Sequence, residues 1–187
     1  MILVVDNGKG ADEISRMLRS SKVVKPNNIS PADAYILTDG STMAGRDQKE
    51  IINFIKKNNK PLLGIGLGYL YLGMAFGAGT KTFGSAEKEE KVTIKQRSPI
   101  LLDLKKTFSV VCNQKHVLDE CPDCFGPIAS SPKYEFEIIQ HGATIGNVVD
   151  NPLPLFGVHF NPEAGLDGRK IIDNFVKFVE IWNKYHM

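Results

Sequence analysis

Thiol and imidazole side chains, which suit nucleophilic and metal chemistry, are concentrated in one short segment of the chain. Cys112, His116, Cys121 and Cys124 follow one another with the spacing C-x3-H-x4-C-x2-C. Such ligands suit zinc, and the C-x2-C step suits a metal-binding turn or a redox pair. Because Cys112 ends a predicted strand whose pairing sets its direction, we expect ordinary half-buried thiols, with no metal site and no cofactor. A zinc site and a Cys121–Cys124 redox pair are the alternatives.

A second segment has the backbone of a catalytic turn but lacks a reactive side chain. Leu62 to Ile65 is an apolar run typical of a buried strand, and residues 67–76 carry apolar side chains at helical spacing. Gly64 lies in the predicted strand, Gly66 lies between strand and helix, and Gly68 lies in the first turn of the predicted helix. A strand that turns at once into a helix between flanking glycines is the frame of a nucleophile elbow, whose apex carries Ser or Cys. The apex here is Gly66, so the frame is predicted and the reacting atom is missing.

Apolar periodicity predicts the elements that would position these segments. We predict parallel strands at residues 2–5, 34–37, 62–65 and 155–159, a short strand at 23–24, and helices at 11–20, 46–57, 67–76 and 167–185. In the second half we predict two strands within 91–111, a loop-rich segment over 113–132, and a hairpin of 135–140 with 143–149. This alternation predicts an α/β fold: a doubly wound, mostly parallel, flavodoxin-like sheet with helices on both faces and an antiparallel hairpin extension.

The carboxyl ends of the parallel strands are the place where a site is expected. Ligands of open α/β sheets bind along that edge, because the connecting loops meet there. The turns at Asn7, Asp39-Gly40, Gly66 and Asn161 each follow a predicted strand. We therefore expect these residues to lie close together.

Size and composition bound the classes of function. A chain of 187 residues with 42% hydrophobic residues is expected to form a single domain over residues 1–187. The net charge is +2, with basic and acidic residues interspersed, so the sequence shows no basic patch of the kind that binds nucleic acid. No apolar stretch approaches membrane-spanning length, and the N-terminus begins with a strand and has no basic leader, so we expect a cytoplasmic protein without membrane association.

Three blocks of the chain resemble the class I glutamine amidotransferases. Residues 61–70 (Pro-Leu-Leu-Gly-Ile-Gly-Leu-Gly-Tyr-Leu) resemble that family's elbow, Pro-Ile-Leu-Gly-Ile-Cys-Leu-Gly-His-Gln. Residues 156–163 (Phe-Gly-Val-His-Phe-Asn-Pro-Glu) resemble its Tyr-Gly-Val-Gln-Phe-His-Pro-Glu. Residues 1–8 resemble the start of the glutaminase subunit of archaeal GMP synthase. The blocks occur in family order and at family spacing over nearly the whole chain.

The resemblance implies a catalytic triad that has been partly lost. Gly66 stands where the family has its nucleophilic Cys, and Asn161 stands where it has its His. Glu163 is the triad position that keeps its residue type. A glycine cannot attack an amide and an asparagine cannot exchange protons near neutral pH, so the resemblance implies a degenerate nucleophile and a degenerate base.

The same resemblance implies changes around the substrate. Asp39-Gly40-Ser41 replaces the Gly-Gly-Pro of the oxyanion loop, and Tyr69-Leu70 replaces the His-Gln that follows the nucleophile. The segment Asn113 to His116 occupies the region of a Ser-His pair that contacts substrate, with His116 matching loosely. The pocket residues implied in this way are Asp39, Gly40, Leu67, Tyr69, Leu70, His116 and His159.

Three hypotheses about function follow. In the first, the chain is a homologue of the GMP synthase glutaminase subunit without glutaminase activity. It would act by binding a small ligand or a partner, such as a synthetase or ATP-pyrophosphatase-type subunit. In the second it is an active amidotransferase or hydrolase with another nucleophile, for which Cys112 is the thiol near the pocket. In the third it is a metal-binding regulatory protein. We favour the first, because catalytic and substrate-holding positions differ together while the frame is kept.

Overall fold

The computed structural model describes residues 1–41, 46–83, 88–144 and 149–186. The strands are β1 (Ile2–Val5), β2 (Ser21–Val24), β3 (Ala34–Leu37), β4 (Leu62–Ile65), β5 (Thr80–Thr82), β6 (Lys88–Ile94), β7 (Thr107–Cys112), β8 (His116–Leu118), β9 (Phe125–Ser130), β10 (Ile138–His141) and β11 (Leu155–Val158). The helices are α1 (Ala11–Met17), α2 (Arg46–Lys57), α3 (Leu67–Ala75) and α4 (Arg169–His186).

Short apolar strands form the parallel half of a nine-stranded sheet. Its order is β2-β1-β3-β4-β11, and every neighbouring pair in this half is parallel. β1, β3, β4 and β11 are buried at every residue, which is typical of strands covered by helices on both faces. The predicted neighbourhood of strands 2–5, 34–37, 62–65 and 155–159 is therefore confirmed.

An antiparallel extension completes the sheet in the order β11-β10-β9-β6-β7. The two strands predicted within 91–111 are confirmed as β6 and β7. The loop-rich prediction for 113–132 is wrong, because this segment contains β8 and β9. β9 is hard to predict because it contains Gly126 and Pro127, and glycine and proline are both depleted in strands. The sheet accommodates Pro127 beside a register shift at Ile138/Ile139.

The predicted hairpin of 135–140 with 143–149 is also wrong. Its first arm contains β10, and β10 pairs with β9 on one side and β11 on the other. Ile138 and Ile139 are fully buried, so this strand belongs in the interior of the sheet and not in a hairpin at its edge. Residues 145–148 of the second arm lie outside the described residues.

Helices cover both faces of the sheet, as predicted. α1 and α4 pack on one face through Ile14, Ile171 and Phe175, and α2 and α3 pack on the other through residues such as Ile51 and Leu70. The carboxyl ends of β1, β3, β4 and β11 are thereby left as one edge, which carries the turns described below. Within the described ranges, no helix is both long enough and apolar enough to cross a bilayer.

Candidate functional site at the carboxyl edge of the sheet

The elbow after β4 has the predicted geometry. Gly66 takes φ 53° and ψ −107° at the start of α3, and its N–H donates to the Val158 carbonyl at 2.9 Å. A Cβ on Gly64 would lie 2.6 Å from the carbonyl oxygen of Gly68, so strand and helix cross too closely for a side chain. The positive φ favours glycine at the apex, because other residues are strained there.

The carboxylate of Asp39 fills the space in front of the apex. A Cβ on Gly66 would lie 2.5 Å from the Asp39 Cγ and closer still to Oδ1. Asp39 follows β3 and is 1% exposed. Its backbone is held by the Lys9 N–H, which donates to the Asp39 carbonyl at 3.0 Å. A side chain at position 66 and the present position of Asp39 are therefore mutually exclusive.

Among the described residues, three hydrogen-bond donors surround this carboxylate. The Leu67 backbone N–H and the Gln114 Nε2 donate to Asp39 Oδ1 at 2.9 and 2.8 Å. Asn161 Nδ2 donates to Oδ2 at 3.1 Å. In elbow enzymes the backbone N–H of the residue after the apex stabilises the oxyanion of the reaction. In this chain that N–H, from Leu67, is already occupied by a carboxylate of the protein itself.

Asn161 connects Asp39 to the carboxylate of Glu163. Its Nδ2 also donates to Glu163 Oε1 at 3.0 Å, and its Oδ1 accepts from the Asn113 N–H at 2.9 Å. Burial raises the pKa of Glu163, and the bond from Asn161 opposes this effect. Glu163 Oε2 is buried without a hydrogen-bond partner among the described residues. An amide in this place orients two carboxylates but cannot relay a proton between them.

The predicted substrate side of the pocket is filled by aromatic side chains. Tyr69 is fully buried, and its hydroxyl contacts the Tyr134 hydroxyl at 2.7 Å and donates to the Phe136 carbonyl at 2.8 Å. Burial raises the pKa of Tyr69 well above its ordinary value, so the phenol is neutral. Leu70 is also fully buried in the core. These side chains occupy the predicted pocket instead of lining an opening.

His159 lies beside this aromatic group at the end of β11. Its ring is 5.0 Å from that of Tyr134 and 5.9 Å from that of Tyr69. Its Nδ1 is 3.1 Å from Glu137 Oε2 and 3.7 Å from Cys112 Sγ, and its Nε2 is 3.1 Å from the His116 carbonyl. His116 thus enters the site through its backbone oxygen.

The ionisation of His159 follows from these contacts. Burial lowers its pKa, but hydrogen bonds to Cys112 and Glu137 and the charges of those groups outweigh burial and raise it to about 10. Since Nε2 faces a carbonyl and Nδ1 faces a carboxylate, both ring nitrogens carry protons. The ring is a buried imidazolium at neutral pH.

The four residues of the C-x3-H-x4-C-x2-C segment are not assembled as a metal site. Cys112 is buried against His159, whereas Cys121 and Cys124 pack against the apolar cluster on the α3 face. In the part of the chain that the structure describes, no three His, Cys, Asp or Glu side chains are grouped to hold a metal ion. β8 and the turns after it lie between the two ends of the segment in the chain.

Sequence reasoning missed three residues of the site. Gln114, Tyr134 and Glu137 complete the networks around Asp39, Tyr69 and His159. Signals existed for two of them. Gln114 lies in the segment that the resemblance places near the substrate, and Glu137 is a charged residue directly before Ile138-Ile139 in a predicted strand, which needs a buried partner. Gln114 meets Asp39 from 75 residues away in the sequence, so no local pattern indicates that pair.

The comparisons with known proteins agree with this architecture. A family model described as glutamine amidotransferase class-I matches residues 3–178. The chain is 27% identical to a Methanothermobacter thermautotrophicus protein named as one subunit of a glutamine-hydrolyzing GMP synthase, over 94% of this chain and 96% of that one. It is also 27% identical to a GMP synthase of Wolbachia pipientis, over 94% of this chain and 36% of that one. A solved Thermoplasma acidophilum structure, described as a GMP synthase subunit, superposes with a TM-score of 0.84 at 24% identity, covering 98% of this chain and 95% of that one.

Proposed function

The chain belongs to the class-I glutamine amidotransferase family, and we propose that it is a member without glutaminase activity that acts by binding a partner subunit. Residues 1–187 would act as one domain, which the coverage of 96% of the Methanothermobacter relative supports. In this proposal Gly66 and Asn161 are the degenerate nucleophile and base, and Glu163 is the retained acid.

The position of Asp39 is the observation that carries the proposal. Glutamine hydrolysis needs an attacking atom at the elbow, a proton acceptor beside it and free donors for the oxyanion. Gly66 has no side chain, and the Leu67 N–H already donates to Asp39 Oδ1. A substrate carbonyl would have to displace a buried carboxylate that accepts three hydrogen bonds. Each bond to a charged group contributes about 1.5–3 kcal/mol, so this displacement is costly.

The names and lengths of the relatives support a partner. The archaeal relatives are named as single subunits of GMP synthase, which implies at least one further subunit. In the Wolbachia protein the matching region is part of a longer chain, of which it covers 36%. A synthetase or ATP-pyrophosphatase-type subunit is therefore the partner class we propose. Such a partner would link the chain to purine biosynthesis in the cytoplasm.

One observation favours a second candidate function, a hydrolase with Cys112 as nucleophile. Cys112 Sγ lies 3.7 Å from the imidazole of His159, which in turn contacts Glu137. In a catalytic triad, however, the base contacts nucleophile and acid through opposite ring nitrogens. Here both groups face Nδ1 and Nε2 is engaged by the His116 carbonyl. The imidazolium has no site left to accept the thiol proton, so we rank this candidate second.

Two measurements test the proposal. Glutamate release from glutamine by the purified chain should equal that of a no-enzyme control, and release that disappears in Cys112→Ser would support the hydrolase instead. For the partner, the chain should co-elute in size-exclusion chromatography with the ATP-pyrophosphatase-type GMP synthase subunit of the same organism. An active class-I glutaminase subunit with its own synthetase serves as the positive control. Failure to form a complex under conditions where that pair associates would contradict the binding role.

A further inference from the structure

The chain carries a second group of reactive side chains that the amidotransferase frame does not use. We propose that Cys112 is a modification site for hydrogen peroxide, with His159 and Glu137 as the residues that prepare its sulfur. The site lies at the end of β7, where Cys112 Sγ contacts His159 Nδ1. The proposal is independent of whether the chain binds a partner or hydrolyses glutamine.

The protons of the His159 ring are assigned by its neighbours. Nε2 is 3.1 Å from the His116 carbonyl, which can only accept, so Nε2 carries a proton. Nδ1 is closer to Glu137 Oε2, at 3.1 Å, than to Cys112 Sγ, at 3.7 Å. His159 is 3% exposed and Glu137 is 2% exposed, so their ion pair is shielded from water. The second ring proton therefore stays on Nδ1, which donates it to the Glu137 carboxylate in a hydrogen bond.

The sulfur of Cys112 therefore lies between the cationic ring of His159, at 3.7 Å, and the Gln114 carbonyl, at 3.9 Å. A neighbouring cation stabilises the thiolate form of a cysteine, and the thiolate is the nucleophile. His159 acts on Cys112 as a charge and not as a base, because both ring nitrogens already hold protons. The pKa of His159, raised to about 10 by Cys112 and Glu137 against the effect of burial, agrees with this assignment. Tyr69 and Tyr134, the rings beside His159, are neutral phenols, and Glu137 is the carboxylate that pairs with the charged ring.

The reaction with peroxide balances without another reductant or oxidant. The thiolate sulfur attacks one peroxide oxygen, so an S–O bond forms as the O–O bond breaks. The sulfur loses two electrons and the peroxide gains them. The leaving hydroxide takes up one proton from solvent, and the products are a sulfenic acid on Cys112 and one water.

Access limits the reagent to small molecules. Cys112 is 9% exposed, whereas Cys121 and Cys124 are half-buried and more exposed. Burial raises the pKa of Cys121 to about 12 and also raises that of Cys124, which disfavours their thiolates. Exposure and charge thus predict opposite orders of reactivity for the three cysteines. The proposal requires that the least exposed cysteine react first with a small uncharged oxidant.

The test is a peroxide titration of the reduced, full-length chain in the presence of dimedone, which traps sulfenic acids. Peptide mass spectrometry then gives the rate of trapping at each cysteine. We expect Cys112 to be trapped faster than Cys121 or Cys124, because the His159 ring lies beside its sulfur while burial raises the pKa of the other two thiols. In urea the three rates should become equal, because the difference arises from folding.

Variants separate the charge effect from simple exposure. His159→Gln removes the cation and should slow trapping at Cys112 by about tenfold, without changing Cys121 and Cys124. Cys121→Ser combined with Cys124→Ser is the matched control and should leave the rate at Cys112 unchanged. If His159→Gln does not fold, the comparison of the three cysteines in the unaltered chain still decides the proposal. Equal or slower trapping at Cys112 in the folded, unaltered chain would overturn it.

Discussion

Two neighbouring groups of buried residues at the carboxyl edge of the sheet differ in what each has lost. The Asp39–Gly66–Asn161 group has the elbow, the backbone donor and the helix of an amidotransferase frame, and no reacting side chain. The Cys112–His159–Glu137 group has a thiol, an imidazole and a carboxylate in contact. It has no elbow, and its thiol and its acid share one ring nitrogen.

The difference shows that the backbone frame and the reactive side chains have separate physical causes. The glycines of the elbow are needed for packing where β4 and α3 cross, whatever the function of the site. Each group also satisfies the buried carboxylate at its centre in its own way. Asp39 is stabilised by amides and a backbone N–H, whereas Glu137 is stabilised by a charged ring. The first group should therefore respond to steric changes and the second to pH.

The largest expected effect concerns the second group. The pKa of His159 is raised to about 10 from an ordinary value of 6.5, so its contribution to stability is fully present below pH 6.5. That contribution is lost as the pH rises toward 10, because the folded chain holds a proton that the unfolded chain has released. Between these values the free energy of unfolding should fall by up to about 1.4 kcal/mol per pH unit.

Urea unfolding at several pH values checks this slope against His159→Gln, which lacks the titrating group. The unaltered chain should lose stability more steeply than the variant between pH 6.5 and 10. Parallel curves would show that the ring is not an imidazolium in the folded state.

The next effect concerns the apex of the elbow. Gly66→Ala places a Cβ at positive φ and against Asp39, whereas Gly77→Ala places one at φ 99° with no atom within 4 Å. Both changes should cost about 1–3 kcal/mol through backbone strain. Gly66→Ala should cost about 1–3 kcal/mol more, because Asp39 must move. Equal losses of stability in the two variants, measured by urea unfolding, would mean that Asp39 leaves the apex free.

A smaller effect is expected from Asp39→Asn. The amide keeps the shape of the side chain but turns one NH2 group toward donors from Leu67, Gln114 or Asn161. Leaving one buried donor without an acceptor should cost about 1–3 kcal/mol. Asp173→Asn, on the exposed side of α4, is the matched control and should be nearly neutral. Similar melting temperatures for both variants would argue against a buried carboxylate at position 39.

The smallest effect is expected from Tyr69→Phe. The change removes a hydroxyl that contacts Tyr134 and the Phe136 carbonyl while keeping the ring. The loss should be about 1 kcal/mol, since Tyr134 keeps its bonds to the backbone of Leu118. Tyr185→Phe, at a side chain that is 73% exposed, controls for loss of a hydroxyl alone. If Tyr69→Phe were as silent as the control in thermal unfolding, the aromatic group would not be a tightly packed filling of the pocket.

The sequence was sufficient where the determining residues are local. The elbow follows from glycines at 64, 66 and 68, and the parallel strands follow from four-residue apolar runs. It was insufficient for β9, where Gly126 and Pro127 violate strand preferences and the pairing with β10 contains a register shift beside Pro127.

The candidate site is likewise only partly predictable from the sequence. Asp39 was predicted to lie in the pocket, but its role as the occupant depends on Gln114 and Asn161, which are 75 and 122 residues away from it. The cysteine-rich segment shows that closeness in sequence is not closeness in the core. Cys112 belongs to one apolar cluster, whereas Cys124 packs against the other.

The central claim is that Asp39, together with the missing nucleophile and base, blocks the elbow of an amidotransferase frame. It is tested most directly by glutamate release from two variants, Gly66→Cys with Asn161→His, and the same pair with Asp39→Gly. Triad members act together, so neither single change should give activity. The account predicts no release above background for the pair, in which Asp39 and the new thiol compete for the space at the apex. It predicts weak but measurable release for the triple variant, in which that space and the Leu67 N–H are free. Equal release from the two variants, zero included, would contradict it.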